Sequence, residues 1–92
     1  MTDSHEVTLT IENELGLHAR AATMFVQVAA RYQSEIYIIK DGREVNGKSI
    51  MGILTLVATM GSSIQIRATG PDAEAFLKEA TKLVKNKFGE ER

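Results

Sequence analysis

Gly16-Leu17-His18-Ala19-Arg20-Ala21-Ala22, continuing to Tyr32, is the stretch on which the fold turns. From Ala19 onward Ala22, Phe25, Val26, Ala29 and Tyr32 recur at spacings of three and four. That period predicts an amphipathic helix with one buried face, ending near Arg31 where the pattern gives way to Gln33-Ser34. Gly16 interrupts the pattern on the other side, which leaves His18 at or next to the N-cap. The first N–H groups of a helix lack partners and carry about half a positive charge, so an anion is favoured there. A neutral imidazole in that place suits attack on an electrophilic phosphorus, and the helix start disfavours the imidazolium. The backbone N–H groups of Ala19 and Arg20, with the Arg20 guanidinium, would then hold the phosphoryl group. Arg20 opposes the helix dipole when it stands alone, which points to an anionic partner. A solvent-exposed histidine with no chemistry is the simpler reading of this stretch taken by itself.

Outward from the helix, the chain reads as alternating elements. Val7, Leu9 and Ile11 alternate with Glu6, Thr8, Thr10 and Glu12, the period of a strand with one buried face. Ile36 to Ile39 form a short β-branched run, with Ile36 and Ile38 facing inward, and Asp41-Gly42 favours a tight turn into a return strand over Arg43 to Val45. Ser49 precedes Ile50, Met51, Ile53 and Leu54, a short helix with Ser49 as N-cap, weakened by Gly52. Ile64, Ile66 and Ala68 alternate with Ser63, Gln65 and Arg67 as a further half-buried strand. A last helix begins after Gly70-Pro71, with Asp72 and Glu74 in its first turn and Lys82, Lys85 and Lys87 at its end. Ala73, Phe76, Leu77, Ala80, Leu83 and Val84 form its apolar stripe, Gly89 suits a C′ position, and Glu90-Glu91-Arg92 reads as a frayed tail. The order is βαββαβα. It predicts an α+β domain, one mainly antiparallel four-stranded sheet covered on one face by helices. A ferredoxin-like module is the alternative layout, although its βαββαβ order leaves the terminal helix unexplained.

Composition bounds the function. Ninety-two residues, 43% hydrophobic and 25% charged, suit a single domain over 1–92, with a core of about 6–88 and frayed ends at 1–4 and 90–92. A net charge of −1 and one short basic cluster give no electrostatic footprint for nucleic acid or an anionic membrane. The N-terminus has neither a basic n-region nor a signal-length apolar run, so a cytoplasmic protein without membrane insertion is expected. The absence of Cys removes disulfides, thiol catalysis and common zinc frameworks, and His5 has no companion ligands for a metal site. A one-sided sheet leaves a face in water, which makes a monomer the default.

Gly16 to Ala22 resembles the active-site signature of the HPr family, the histidine-containing phosphocarriers of the bacterial phosphoenolpyruvate:sugar phosphotransferase system. Asn46-Gly47-Lys48-Ser49-Ile50-Met51-Gly52-Ile53-Leu54 resembles that family's regulatory serine segment, and the likeness runs from about Val7 to Phe88. The resemblance implies the open-faced β-sandwich of that family and a phosphoryl carrier, not a stand-alone enzyme, with no cofactor. It implies that His18 is phosphorylated on Nδ1 by phospho-Enzyme I and passes the group to enzyme IIA domains of sugar transporters, with Arg20 stabilising the phosphoryl charge. It further implies Ser49 as a target of an HPr kinase/phosphorylase, a catabolite-control transcription regulator as a partner, and Leu17, Ile50, Met51 and Leu54 as docking residues. Ala21 departs from the pattern, since the family usually has Pro there, and a less rigid helix start follows. A nitrogen-type phosphotransferase carrier and a purely regulatory HPr-like module are the alternatives.

Overall fold

A computed structural model describes residues 3–92; Met1 and Thr2, half of the N-terminal stretch expected to fray, lie outside the described residues. The elements follow the expected order: β1 (Ser4–Thr10), α1 (Ala19–Ala29), β2 (Glu35–Lys40), β3 (Arg43–Asn46), α2 (Ile50–Leu54), β4 (Ser63–Thr69) and α3 (Ala73–Lys85). The strands form one antiparallel sheet in the order β1-β4-β2-β3. Placing β4 in the centre sets Val7 opposite Ile66 and Ile38 opposite the same residue on the other side, so one face carries a continuous apolar row. Leu9, Ile36, Ile38, Ile64, Ile66 and Ala68 are buried on that face under α1 and α3. Phe25 of α1 and Phe76 of α3 meet edge to face at 5.8 Å and lock the two helices together. The opposite face presents Glu6, Gln65, Arg67 and Tyr37, with the Arg67 guanidinium 5.2 Å from the Tyr37 ring centre. Asp41 and Gly42 take φ values of 50° and 79°, the left-handed pair that a two-residue hairpin turn requires.

Several boundaries differ from the sequence reading by a residue or more, and three of them have a clear local reason. β1 begins at Ser4, because Ser4 to Thr10 all pair with β4 and Gly70 N–H donates to Asp3 O at 2.9 Å; Asp3 and Ser4 are therefore tied down and not frayed. α1 stops at Ala29, where Arg31 N–H and Tyr32 N–H turn to carbonyls three residues back and tighten the last turn. Tyr32 nevertheless keeps its place in the apolar stripe, 5.3 Å from the Phe76 ring. The third difference matters most. α3 ends at Lys85, and Lys87 and Phe88 both take φ of 55°, so Lys87 belongs to a separate 3₁₀ turn over Lys87–Gly89. Left-handed φ is costly for residues with a Cβ. Full burial of Phe88 in the core offsets that cost and reverses the chain direction. The tail thereby lies against the loop before α1: Glu14 N–H donates to Arg92 O at 2.8 Å.

Candidate functional site

His18 is the N-cap of α1, in extended conformation, and its carbonyl accepts Ala22 N–H at 2.8 Å as the first turn of the helix begins. Two features of the chain hold it there. Leu17, immediately before, is buried and donates its N–H to Ala58 O at 2.9 Å. Gly16 has φ of 67°, and a Cβ at that position would come within 2.4 Å of the same Ala58 oxygen, so only glycine allows the two segments this approach. The imidazole stands partly in solvent, with 28% of its side chain exposed.

Both ring nitrogens are engaged. Nδ1 accepts Arg20 N–H at 3.3 Å, so Nδ1 carries a lone pair, and Nε2 therefore holds the proton of the neutral ring. Nε2 donates to Glu90 Oε2 at 2.6 Å. Arg20 Nη1 donates to the same carboxylate oxygen at 3.0 Å and reaches Phe88 O at 3.4 Å. The fully buried Asn13 donates one N–H to Glu90 Oε1 and the other to Gly16 O, both at 2.9 Å. Asn13 thus ties the tail to the loop that presents His18. These donors keep the Glu90 carboxyl below its ordinary range, Asn13 first and the His18 N–H next, against the opposing effect of burial. Glu14, Leu15, His18, Arg20 and residues 90–92 line one open depression.

His18 and Arg20, the residues singled out in the sequence, lie side by side at the start of α1, and the Arg20 amide is aimed at the ring nitrogen that bears the lone pair. The sequence reading assigned Glu90 to a frayed tail; the carboxylate is instead a central part of this site. Nothing near Glu90 in sequence announces that role, since its side-chain partners lie seventy or more positions away. Of the expected docking residues, Leu17 does not qualify: it is 5% exposed and packs inward as part of the core. Leu54 is half-buried, whereas Ile50 and especially Met51, 76% exposed, face solvent. Leu15, Val57 and Met60 are exposed apolar residues that the sequence reading did not single out. Ser49 caps α2 as expected, its Oγ accepting Gly52 N–H at 3.0 Å.

Comparisons with known proteins agree with this geometry. The family model described as "PTS HPr component phosphorylation site" matches residues 5–86. A phosphocarrier protein HPr of Xylella fastidiosa is 42% identical over 87 residues, covering 95% of this chain and 96% of that protein. A phosphocarrier protein NPr of Shewanella violacea is 40% identical, covering 92% and 93% of the two chains. The crystal structure of HPr-C-His from Thermoanaerobacter tengcongensis superposes with a TM-score of 0.92 at 45% identity, covering 96% of this chain and 99% of that one. With the open sheet, the N-capping histidine and the family match in agreement, this chain belongs to the HPr family of phosphocarriers of the phosphotransferase system.

Proposed function

We propose that the chain accepts a phosphoryl group on Nδ1 of His18 from phospho-Enzyme I and passes it to enzyme IIA domains of sugar transporters. The observation that carries this reading is the division of the ring: a lone pair on Nδ1 beside the Arg20 amide, a proton on Nε2 held by Glu90. In the forward step the Nδ1 lone pair forms the N–P bond while the phosphorus leaves the donor nitrogen. The Nε2 proton stays in place throughout, and the ring acquires a positive charge that the Glu90 carboxylate offsets. Release reverses this: because Nε2 keeps its proton, the leaving group is neutral imidazole, and no separate proton transfer is needed. The Arg20 guanidinium, already at the site, can exchange its carboxylate contact for phosphoryl oxygens, and such positioning and charge neutralisation dominate phosphoryl transfer.

Ser49 belongs to the same reading as a regulatory site. Its hydroxyl is at the start of α2 beside exposed Ile50 and Met51, so a phosphate from an ATP-dependent kinase would place a dianion within an apolar contact surface. That charge would weaken docking of Enzyme I and offer basic groups of a transcription regulator something to bind. Incubation with phosphoenolpyruvate and Enzyme I tests the primary claim. The native chain is expected to gain acid-labile phosphate and the H18A chain none; equal labelling of both would remove His18 from the mechanism. Offering the phosphorylated chain sugar-type and nitrogen-type IIA domains in parallel separates the two branches.

A further inference from the structure

Six of the seven glycines are required by the backbone: five take positive φ, and a Cβ on Gly47 would come within 2.4 Å of the Ile36 side chain. Gly52 is the exception. It lies inside α2 without a positive φ, and the atoms nearest a Cβ there are side-chain atoms, Ser49 Oγ at 3.2 Å, Ser49 Cβ at 3.4 Å and Val45 Cβ at 3.5 Å. A glycine inside a helix weakens it, and a helix of five residues has little stability to lose. Ile50 and Met51 are exposed and Gly52 has no side chain, so between Lys48 and Ile53 no apolar side chain is buried. Both ends of that span are fixed. Lys48 N–H donates to Asn46 Oδ1 at 2.8 Å and its Nζ to Tyr32 O at 2.7 Å, and Ile53 is fully buried. Ser49 closes the turn, its Oγ accepting Gly52 N–H and its carbonyl Ile53 N–H, both at 3.0 Å. Thr55 adds its N–H to Met51 O at 3.3 Å and its hydroxyl to Gly52 O at 2.6 Å, bonds that an opened turn exchanges for water. Residues 49–52 can therefore open together without exposing core, as segments with few buried apolar contacts do.

We propose that Gly52 is a specificity-determining residue for phosphorylation of Ser49, because it sets how readily the first turn of α2 opens to deliver the hydroxyl to a kinase. This inference rests on the regulatory reading of Ser49 above. In the step itself Ser49 Oγ bonds to the γ-phosphorus of ATP, the bond from that phosphorus to the β,γ-bridging oxygen breaks, ADP leaves, and the hydroxyl proton passes to a base of the kinase. The attacking oxygen must face the phosphorus with the leaving oxygen behind it. A half-buried hydroxyl turned onto its own helix does not offer that approach, so the cap opens first. The competent population is then the open fraction, and the apparent affinity of the kinase falls as that fraction falls.

The test compares the native chain with G52A and G52N, by amide hydrogen exchange and by labelling of Ser49 with ATP and an HPr kinase. The preference of Ala over Gly within a helix is worth about fivefold in an equilibrium constant, and Asn lies between the two. Exchange at Ile53 N–H, corrected for the neighbouring residue, is expected to slow about two- to fivefold in G52A and less in G52N. Gly47 N–H, bonded to Ile36 O outside the opening turn, should keep its native rate. The kcat/KM for Ser49 labelling should fall by the same factors, in the order native, G52N, G52A. Asn is larger than Ala, so the order native, G52A, G52N would mean that bulk beside the hydroxyl decides, and overturns the proposal. Unslowed exchange in G52A overturns it as well, and so does slowed exchange with unchanged labelling. A native chain that takes no phosphate from ATP would instead bring down the Ser49 reading, and this inference with it, whatever the exchange rates.

Discussion

Glu90 accepts from three side chains at once, Asn13 on Oε1 and His18 and Arg20 on Oε2, and a carboxylate is the only side chain of that length with two acceptor oxygens. Glutamine has one oxygen and one amide nitrogen, so E90Q must turn a donor toward a donor at one of those contacts. We expect a loss of about 1–3 kcal/mol of stability at neutral pH, the cost of stranding a buried or half-buried donor. The pH dependence has a definite sign. The folded-state pKa of Glu90 lies below its unfolded value, so its contribution is fully present above the unfolded value of about 4.3 and is lost as pH falls through the folded one. Denaturation of both chains across that range checks it: the gap between native and E90Q should close in acid. A gap that persists would mean the carboxylate's charge is not what stabilises the tail. Imidazole nitrogen NMR should also show His18 losing its preference for the Nε2–H tautomer in E90Q. At this scale the sequence was legible where contacts are local. His18 and Arg20 are two positions apart on one helix start, and their relation follows from helix geometry alone. Glu90 reaches them only because Phe88 is buried, a tertiary event that no neighbouring residue encodes.

At the level of elements, periodicity carried most of the fold. The alternation in β1 and β4, the Asp-Gly turn and the Ser49 cap all act over a few residues; the turn and the cap fall where the pattern put them, and the two strands lie there with their ends shifted. Ends were less legible, because the last turn of a helix depends on what the chain meets next. Asp72 illustrates the difference. Its sequence position suggested a carboxylate favouring the α3 dipole, yet it makes no side-chain cap hydrogen bond to its own helix. It accepts instead from Gln33 N–H at 2.9 Å, from Ser34 N–H at 3.0 Å and from the Ser34 hydroxyl, stitching the entry of β2 to the start of α3. The Ser34 hydroxyl bond is the main reason its carboxyl titrates below the ordinary range. The folded pKa being the lower one, the stabilisation is complete above the unfolded value near 3.9 and disappears as pH drops through the folded value. D72N should therefore lower the unfolding temperature at pH 7, with the difference shrinking as the pH is taken below about 4. Thermal melts at a series of pH values measure this directly, and a D72N chain as stable as native at pH 7 would show that the bonds to β2 are dispensable.

Across the whole molecule, function follows from an unequal division of surface. The sheet face opposite the helices is polar, closed over by pairs such as Arg67 on Tyr37, while the exposed large apolar side chains Leu15, Ile50, Met51, Val57 and Met60 lie on loops and on the short helix α2, off the sheet. No helix among the described residues is long and apolar enough to cross a membrane. Which apolar residues near a helix start face outward cannot be read from their spacing, because that depends on the layer packed beneath. Leu17 and Met51 were alike in sequence as apolar neighbours of signature residues, but one is 5% and the other 76% exposed. Their substitutions should therefore separate stability from docking. L17A opens a cavity in the core and is expected to cost about 2–5 kcal/mol of folding free energy. M51E removes nothing from the core and should leave the unfolding temperature within about 2 °C, as surface changes usually do. On the docking role proposed for this face, a charge desolvated in an apolar contact with Enzyme I should raise KM about 10-fold or more while kcat holds. S49D, which puts charge at the neighbouring cap, should act in the same direction and add little when combined with M51E, because both disturb one patch. Transfer kinetics on the two single variants and the double one decide the matter: independent, fully additive losses would place Ser49 and Met51 on separate surfaces, and an unaltered KM in M51E would take this face out of the contact with Enzyme I altogether.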